Sequence, residues 1–303
     1  MKICYSDRYN FNLGPLGLLH AFDMQKFRRV YETIKSDTAV DIFTPPAPLS
    51  DAQIGAFMTS LTHRLTRLKR PVLQALEFPH LPLLSMAFID KKVLTPMRWG
   101  AAGTLSATRE ALNSGFCWNL SGGYHHAGQR MMEGFCIYND IGICHQSLVA
   151  DGTLSETDKV LIVDTDAHHG NGNAETFMEN PNVTLLDVYN QDIYPTSEYT
   201  RGRVDYPVPL PSGTKGAEYL EKYEAALDAL PSGYKIAFVV AGTDVLAADK
   251  LGGLKLSIAD VIARETLTLG HLKTKADAVV MLTGGGYSKE SADAISESIL
   301  ANV

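Results

Sequence analysis

The sequence has few cysteines, and no two of them are spaced as a CxxC pair. Four occur among 303 residues: Cys4, Cys117, Cys136 and Cys144. A chain of this length that relied on disulfides, or on a cysteine-rich metal ribbon, would contain more of them in regular spacings. The sequence therefore excludes a disulfide scaffold and predicts a reducing compartment, which we take to be the cytoplasm.

Positive charge and long apolar runs are also scarce. Lys and Arg total 27 against 34 Asp and Glu, a net charge of −7. Binding through nucleic-acid phosphates needs a surplus of Lys and Arg, so we expect no direct nucleic-acid partner, whereas a basic peptide is compatible. The longest mostly apolar stretch, Leu81–Ile89, is too short to cross a bilayer, and no apolar signal segment follows Lys2. We expect no membrane span.

The rest of the composition is that of a globular protein. Hydrophobic residues make up 45% and charged residues 20%, which excludes disorder. No repeat or linker divides the chain, so residues 1–303 are predicted to form a single domain. Continuous apolar runs, typical of buried parallel strands, predict strands at Lys2–Ser6, Ala39–Phe43, Phe116–Leu120, Lys159–Asp164, Val183–Val188, Lys235–Ala241 and Ala278–Thr283.

Helical periodicity appears between these runs. It predicts helices at Met97–Asn113, Ala217–Leu230, Ser257–Leu272 and Ser288–Leu300, and the spacing of Ser257 and Asp260 is that of a capping box. The alternation predicts an α/β fold: a doubly wound, mostly parallel sheet with helices on both faces. Ligands of such sheets bind beyond the carboxyl ends of the strands.

Chemically capable residues follow four of the predicted strands, where such a ligand would bind. The segments are Ser121–His126, Asp164–Gly172, Gly242–Asp244 and Gly284–Tyr287. Asp164, Asp166 and His168 alternate, so an extended backbone places them on one side. Asp166 and His168 with one further carboxylate, most simply Asp244, would form a three-ligand zinc site that leaves a position for water.

A single Asp after a strand more often caps a helix or a turn, and a lone pair of histidines is more often incidental. Three clusters at equivalent strand ends favour catalysis instead. His125 and His126 can then serve as a general base and its charged neighbour. Tyr287 can donate a hydrogen bond to an oxyanion. Five other histidines lack such neighbours and are expected to be structural or at the surface: His20, His63, His80, His145 and His271.

Five ordered segments resemble the zinc-dependent histone deacetylases of the arginase–deacetylase fold. They are SGGYHHA, GFCIYND, VDTDAHHGNG, AGTDVLAADKLGG and TGGGY, and the resemblance covers about residues 2–300. DAHxGNG, LDVYNQDIYP and GTDxLxxDxLGGLxxS are most similar to the class IV branch. Asn171 stands where class I members have Asp.

The resemblance implies roles for particular residues of this sequence. Asp166, His168 and Asp244 would bind one Zn²⁺, and His126 would be the general base and acid. His125 would be its electrostatic partner, supported by Asp164, while Asn171 would face His126. Tyr287 would polarise the acyl carbonyl. Phe135, Tyr194 and Leu251 would line the acyl-lysine channel above Gly134. A potassium ion would lie near Asp164, Asp166, His168, Asp187 and Val188.

The implied activity is removal of acyl groups from lysine side chains of proteins or peptides. The class IV resemblance adds long-chain acyl groups, for which Gly252 and Gly253 could leave room. Alternatives are an amidohydrolase of acetylpolyamines or other small amides, and a non-catalytic binding module. A dinuclear manganese site of the arginase type is less favoured, because too few carboxylates follow the strands.

Overall fold

The computed structural model describes residues 1–14, 17, 21–79 and 82–303, so the expectations for His20 and His80 lie outside the described residues. Within this part of the chain, eight strands form one sheet in which every pair is parallel, in the order β2-β1-β3-β8-β7-β4-β5-β6. The strands are β1 (Lys2–Cys4), β2 (Asp41–Phe43), β3 (Phe116–Asn119), β4 (Val160–Asp164), β5 (Val183–Asn190), β6 (Tyr206–Leu210), β7 (Ile236–Val240) and β8 (Val279–Leu282).

All seven predicted strands are confirmed, and the parallel α/β fold with them. Strand β6 was not predicted, because its sequence YPVPL contains Pro207 and Pro209. Proline cannot donate to a sheet ladder and is therefore confined to sheet edges. This strand lies at one edge of the sheet and pairs only with β5 among the described strands.

Helices cover the sheet, and the four predicted ones are confirmed with small shifts at their ends. Ser257 and Asp260 form the predicted capping box. The α-helices of the described chain are α1 (Lys26–Ile34), α2 (Asp51–Phe57), α3 (Ser60–Leu65), α4 (Lys69–Ala75), α5 (Met86–Ile89), α6 (Thr95–Ser114), α7 (Asp140–Ala150), α8 (Asn171–Thr176), α9 (Glu198–Arg201), α10 (Gly216–Ala229), α11 (Ile258–Leu272) and α12 (Ser291–Ala301). A 3₁₀ turn covers Asp7–Tyr9, and a π-helical turn, Asp90–Leu94, joins α5 to α6.

Alternate residues of the central strands belong to two separate apolar cores. Leu161 and Val163 of β4 pack in the core beneath α1 and α10 to α12, whereas Val160 and Ile162 pack in the core beneath α6 to α8. Burial on both faces explains why these strands have continuous apolar sequences. Strands β3, β8, β7 and β4 are consecutive in the sheet, so the four polar segments that follow them meet at one edge.

Candidate metal and catalytic site

Asp166, His168 and Asp244 converge beyond the ends of β4 and β7. Their potential ligand atoms lie within 4.8 Å of one another, and the described residues form no other group of this kind. His168 Nδ1 is 2.7 Å from Asp244 Oδ2 and 3.1 Å from Asp166 Oδ1. Both carboxylates are buried, and the side chain of His168 is only 12% exposed. The structure thus brings together the three residues that the sequence selected.

The charges of this cluster fit a bound cation. Burial and the neighbouring Asp166 raise the pKa of Asp244 to about 7. Against the effect of burial, His125 and His168 hold the pKa of Asp166 well below its usual range. Two buried carboxylates that repel each other are costly unless a positive charge compensates them. Two oxygen ligands and one imidazole nitrogen form a donor set that zinc accepts.

Backbone groups and a buried arginine fix the segment that carries these ligands. The Gly285 N–H donates to Asp166 Oδ2 at 2.8 Å, and the Ala167 N–H donates to Asp244 Oδ1 at 2.9 Å. The Arg264 guanidinium donates to the Thr165 carbonyl at 2.9 Å from beneath the segment. Arg264 was not predicted from the sequence, since nothing in α11 indicates which loop its side chain reaches.

His125 and His126 lie side by side with ring centroids 4.1 Å apart, and each has its own partner. His125 Nδ1 is 2.7 Å from Asp164 Oδ2. Although burial opposes it, the charges of Asp164 and Asp166 raise the pKa of His125 to about 9. His126 Nδ1 is 2.7 Å from Asn171 Oδ1. Burial and the neighbouring His125 lower the pKa of His126 well below its ordinary value. The two environments thus favour the charged form of His125 and the neutral form of His126.

Asp140 fixes the loop that precedes the two histidines. Its buried carboxylate accepts hydrogen bonds from the Gly123 N–H at 3.0 Å and the Tyr124 N–H at 2.8 Å. The Thr104 hydroxyl donates to the same carboxylate at 2.6 Å. The sequence motif contains Asp140 but did not reveal this contribution.

Tyr287 lies above the metal-ligand cluster, on a loop held from two sides. Asp249 Oδ2 accepts the Tyr287 N–H at 2.7 Å and the Ser288 N–H at 3.0 Å. The buried Lys26 ammonium donates to the Gly284 and Gly285 carbonyls at 3.2 and 3.1 Å. Burial and the nearby carboxylates raise the pKa of Tyr287 well above its ordinary value, which keeps its hydroxyl protonated.

The predicted channel residues lie at different distances from this centre. The Phe135 ring is 5.6 Å from that of Tyr287, and the Tyr194 ring is 5.4 Å from that of His126. A Cβ on Gly134, which has φ +54°, would come 2.4 Å from His126 Cδ2, so only glycine fits beneath this ring. Leu251 is exposed at the rim, where its N–H donates to Asp249.

An apolar cavity of about 70 Å³ opens beside the two histidines and Tyr287. Its walls come from the N-terminal segment, α1, α4 and α6, and include Phe11, Leu13, Phe22, Met24, Phe27, Leu76, Phe78, Val93 and Met97. Gly252 and Gly253 do not line this cavity. A Cβ on Gly252 would come 2.0 Å from the Asp244 carbonyl, and Gly253 has φ +69°. These glycines therefore serve backbone packing, and they do not open the space that the sequence suggested for an acyl chain.

A second polar network lies beneath the metal-ligand segment. Asp187 is paired with Asp164 across β5 and β4, and its Oδ2 accepts from His169 Nδ1 at 2.6 Å and the Gly170 N–H at 3.0 Å. His169 Nε2 lies 3.0 Å from the Thr200 hydroxyl. Among the described residues, Asp187 Oδ1 is buried without a hydrogen-bond partner. An orphaned carboxylate oxygen is compatible with a monovalent cation at this position.

Three of the histidines that were expected to be structural or at the surface lie in the described part of the chain, and each has a neighbour outside the metal-ligand cluster. His63 pairs with Asp51, His145 packs against Phe177, and His271 lies 3.5 Å from Asp228.

Across the described ranges, no helix combines the length and apolar character needed to cross a membrane.

Comparison with known proteins supports the resemblance. The family described as histone deacetylase domain matches residues 20–303. Histone deacetylase 2 of Arabidopsis thaliana is 33% identical over 303 residues, covering 99% of this chain and 78% of the relative. The acetoin utilization protein AcuC of Staphylococcus aureus is 32% identical over 186 residues, covering 56% of this chain and 46% of the relative.

A solved structure shares the fold. The HD domain of HDA15 matches with a TM-score of 0.72 at 20% identity, covering 99% of this chain and 90% of that one. The similarity to the class IV branch stays a prediction. Because the family match extends over nearly the whole chain, this protein belongs to the histone deacetylase family of hydrolases.

Proposed function

We propose that this protein is a zinc-dependent deacylase of lysine side chains in proteins or peptides. The observation that carries the proposal is the buried Asp166–His168–Asp244 cluster, which faces two buried histidines and Tyr287 beside an apolar cavity. These three residues would hold the ion. When bound, zinc would polarise the acyl carbonyl and make a water molecule more acidic.

The chain's own residues then divide the proton transfers between them. His126 is neutral, and with Nδ1 bonded to Asn171 its Nε2 can take the proton of the attacking water. His125, charged beside Asp164, stabilises the negative charge that develops and can help to protonate the leaving amine. The protonated Tyr287 hydroxyl can donate to the acyl oxygen.

We further propose that the cavity accepts long acyl chains. Its lining is dominated by aromatic and aliphatic side chains, which suit an alkyl chain. A potassium ion would be held by the backbone at Asp164, Asp166 and His168, with Asp187 and Val188. The four cysteines are free and buried, which fits the reducing cytoplasm as the location.

Hydrolysis of small acylated amines is the second candidate. It is favoured by the similarity to AcuC, a protein named for the utilization of a small metabolite. In this case the protein would cleave an acetylated polyamine in preference to an acetyl-lysine peptide.

A single substrate panel tests these proposals. Zinc-loaded protein is assayed with acetyl-, octanoyl- and myristoyl-lysine peptides and with acetylspermidine, beside the Tyr287→Phe variant. We expect peptide deacylation, including the myristoyl peptide, and a turnover loss of about 10²–10³-fold in Tyr287→Phe with zinc content unchanged. Cleavage of acetylspermidine alone would select the second candidate. Absence of all cleavage by zinc-loaded protein would contradict the proposed activity.

A further inference from the structure

Glu133 contacts the site through Asn171, and neither the sequence motifs nor the proposed chemistry gives it a role. The Asn171 Nδ2 amide donates to Glu133 Oε1, while the Asn171 Oδ1 carbonyl is 2.7 Å from His126 Nδ1. Burial, with the nearby Glu133 carboxylate, raises the pKa of the Tyr194 hydroxyl. Asn171 is therefore placed between a carboxylate and the imidazole with both ends of its amide engaged.

A rigid turn holds Glu133 in this place. The Cys136 N–H donates to the Glu133 carbonyl at 2.8 Å, which closes a turn through Gly134 and Phe135. Both central residues have positive φ, +54° and +65°, and the Phe135 N–H is bonded to the Ala75 carbonyl of α4 at 3.0 Å. The backbone from which the Glu133 side chain extends is thus fixed by contacts independent of Asn171.

The chemistry of the three groups allows one arrangement. An ionised carboxylate only accepts hydrogen bonds, whereas an asparagine amide can present either its oxygen or its nitrogen. Glu133 therefore requires the NH₂ end of Asn171, and the carbonyl end must face His126. A carbonyl only accepts, so the proton of the neutral imidazole must reside on Nδ1. Nε2 then carries the lone pair.

We propose that Glu133 is a positioning residue that selects the Nδ1–H tautomer of His126 by orienting the Asn171 amide. The proposal rests on the proposed function in one respect, because only a base that acts through Nε2 needs this tautomer. The tautomer itself can be measured without any substrate, so the two proposals can fail separately.

Two substitutions of Glu133 change the hydrogen-bonding group that faces the Asn171 amide. Gln can present a donor or an acceptor, so Glu133→Gln permits both orientations of the Asn171 amide. Lys only donates, so Glu133→Lys turns the carbonyl away from His126 and forces the Nε2–H tautomer. Equal populations would remove about half of the competent form, and a forced flip would remove nearly all of it.

A second substitution provides a rescue that a purely structural role would not predict. Asp at position 171 has two acceptor oxygens, so it needs no orientation to accept from His126. Asn171→Asp should therefore restore the Nδ1–H tautomer in both Glu133 variants. Glu77→Gln is the matched control, because Glu77 acts electrostatically on the same Tyr194, and the described residues show no hydrogen bond from Asn171 to it.

The readout is ¹⁵N NMR of imidazole-labelled, zinc-loaded protein, together with kcat, with folding checked by circular dichroism. The His126 signals are identified by their loss in His126→Gln. We expect the Nδ1–H tautomer in wild type and Glu77→Gln, a mixture in Glu133→Gln and the opposite tautomer in Glu133→Lys. Adding Asn171→Asp to Glu133→Gln or Glu133→Lys should restore the Nδ1–H tautomer. Across the variants, kcat should rise and fall with the population of that tautomer.

Three results would overturn the proposal. An unchanged His126 tautomer in both folded Glu133 variants is the first, whatever happens to kcat. A tautomer change that Asn171→Asp does not reverse is the second. The third is an equal change in Glu77→Gln, since that variant alters charge without touching Asn171. If Glu133→Lys does not fold, Glu133→Gln and its double variant give the same decision.

Discussion

Replacing Asp249 by Asn tests whether this residue acts on the reaction through Tyr287. Its two carboxylate oxygens accept three backbone N–H groups: Leu251 at 2.9 Å on Oδ1, and Tyr287 and Ser288 at 2.7 and 3.0 Å on Oδ2. Asn has only one acceptor oxygen. It can therefore accept either from the Leu251 N–H or from the Tyr287 and Ser288 N–H groups, and its NH₂ group then faces the N–H on the other side. At least one charge-assisted bond to the Tyr287 loop or the Leu251 rim is lost.

The expected size follows from the bond that is lost. A hydrogen bond to a charged group contributes about 1.5–3 kcal/mol, and about 1.4 kcal/mol corresponds to a tenfold change in rate. Where the loss displaces the Tyr287 hydroxyl, kcat should fall about 10–100-fold. The ceiling is the loss in Tyr287→Phe, about 10²–10³-fold.

A double-mutant cycle separates positioning from general damage. We expect Asp249→Asn to lower kcat of peptide deacylation in the wild-type background but to add little in Tyr287→Phe, because the hydroxyl is already absent. Zinc content by mass spectrometry should not change. Asp205→Asn is the control, since Asp205 also accepts a backbone N–H, that of Leu185 at 2.8 Å, just before the edge strand β6. Additive losses, or loss of zinc, would refute the reasoning.

Most of the sheet could be predicted because a strand that is buried on both faces has a continuous apolar sequence. Strands such as β4 and β7 are apolar at almost every position, which few other structures require. Strand β6 has no such continuous apolar sequence, since it is an edge strand with alternating exposure and two prolines. The short helices α2 to α5 were also not predicted, because four to seven residues give too few turns for a clear period.

The site could be predicted as far as its residues follow strands along the chain. Parallel strands end at one edge, so the grouping of Asp166, His168 and Asp244 follows from the order of the elements alone. Contacts made from other directions could not be predicted in this way. Lys26 reaches the Gly285 carbonyl from 259 positions away, and Glu133 meets Asn171 across 38.

Those distant contacts depend on how helices and loops pack onto the sheet, which local sequence does not specify. One weak signal exists for Lys26. It begins the apolar face of α1 that continues with Phe27, Val30 and Ile34, and a lysine on such a face needs a partner.

Three further predictions concern metal retention, acid stability and the pH profile. Asp244→Asn should lose zinc measured by mass spectrometry, because it removes one of two anionic ligands; full occupancy would contradict the assignment. Burial lowers the pKa of His145 in the folded protein. As the pH drops through the pKa that His145 has in the unfolded chain, the unfolded state binds a proton that the folded state does not bind, so stability falls. His145→Phe should therefore gain Tm relative to wild type between about pH 7.5 and 5.5, and a constant difference would contradict this. The last prediction uses Asn171→Asp in a Glu133→Gln background, since beside Glu133 the new carboxylate would share a proton. An ionised carboxylate in place of the carbonyl at 2.7 Å stabilises charged His126 and raises its pKa. Because the base must be neutral, the acidic limb of kcat/KM should move about 1–3 pH units higher than in Glu133→Gln alone. At equal zinc occupancy, an unmoved limb would mean that the group at position 171 does not set the basicity of His126.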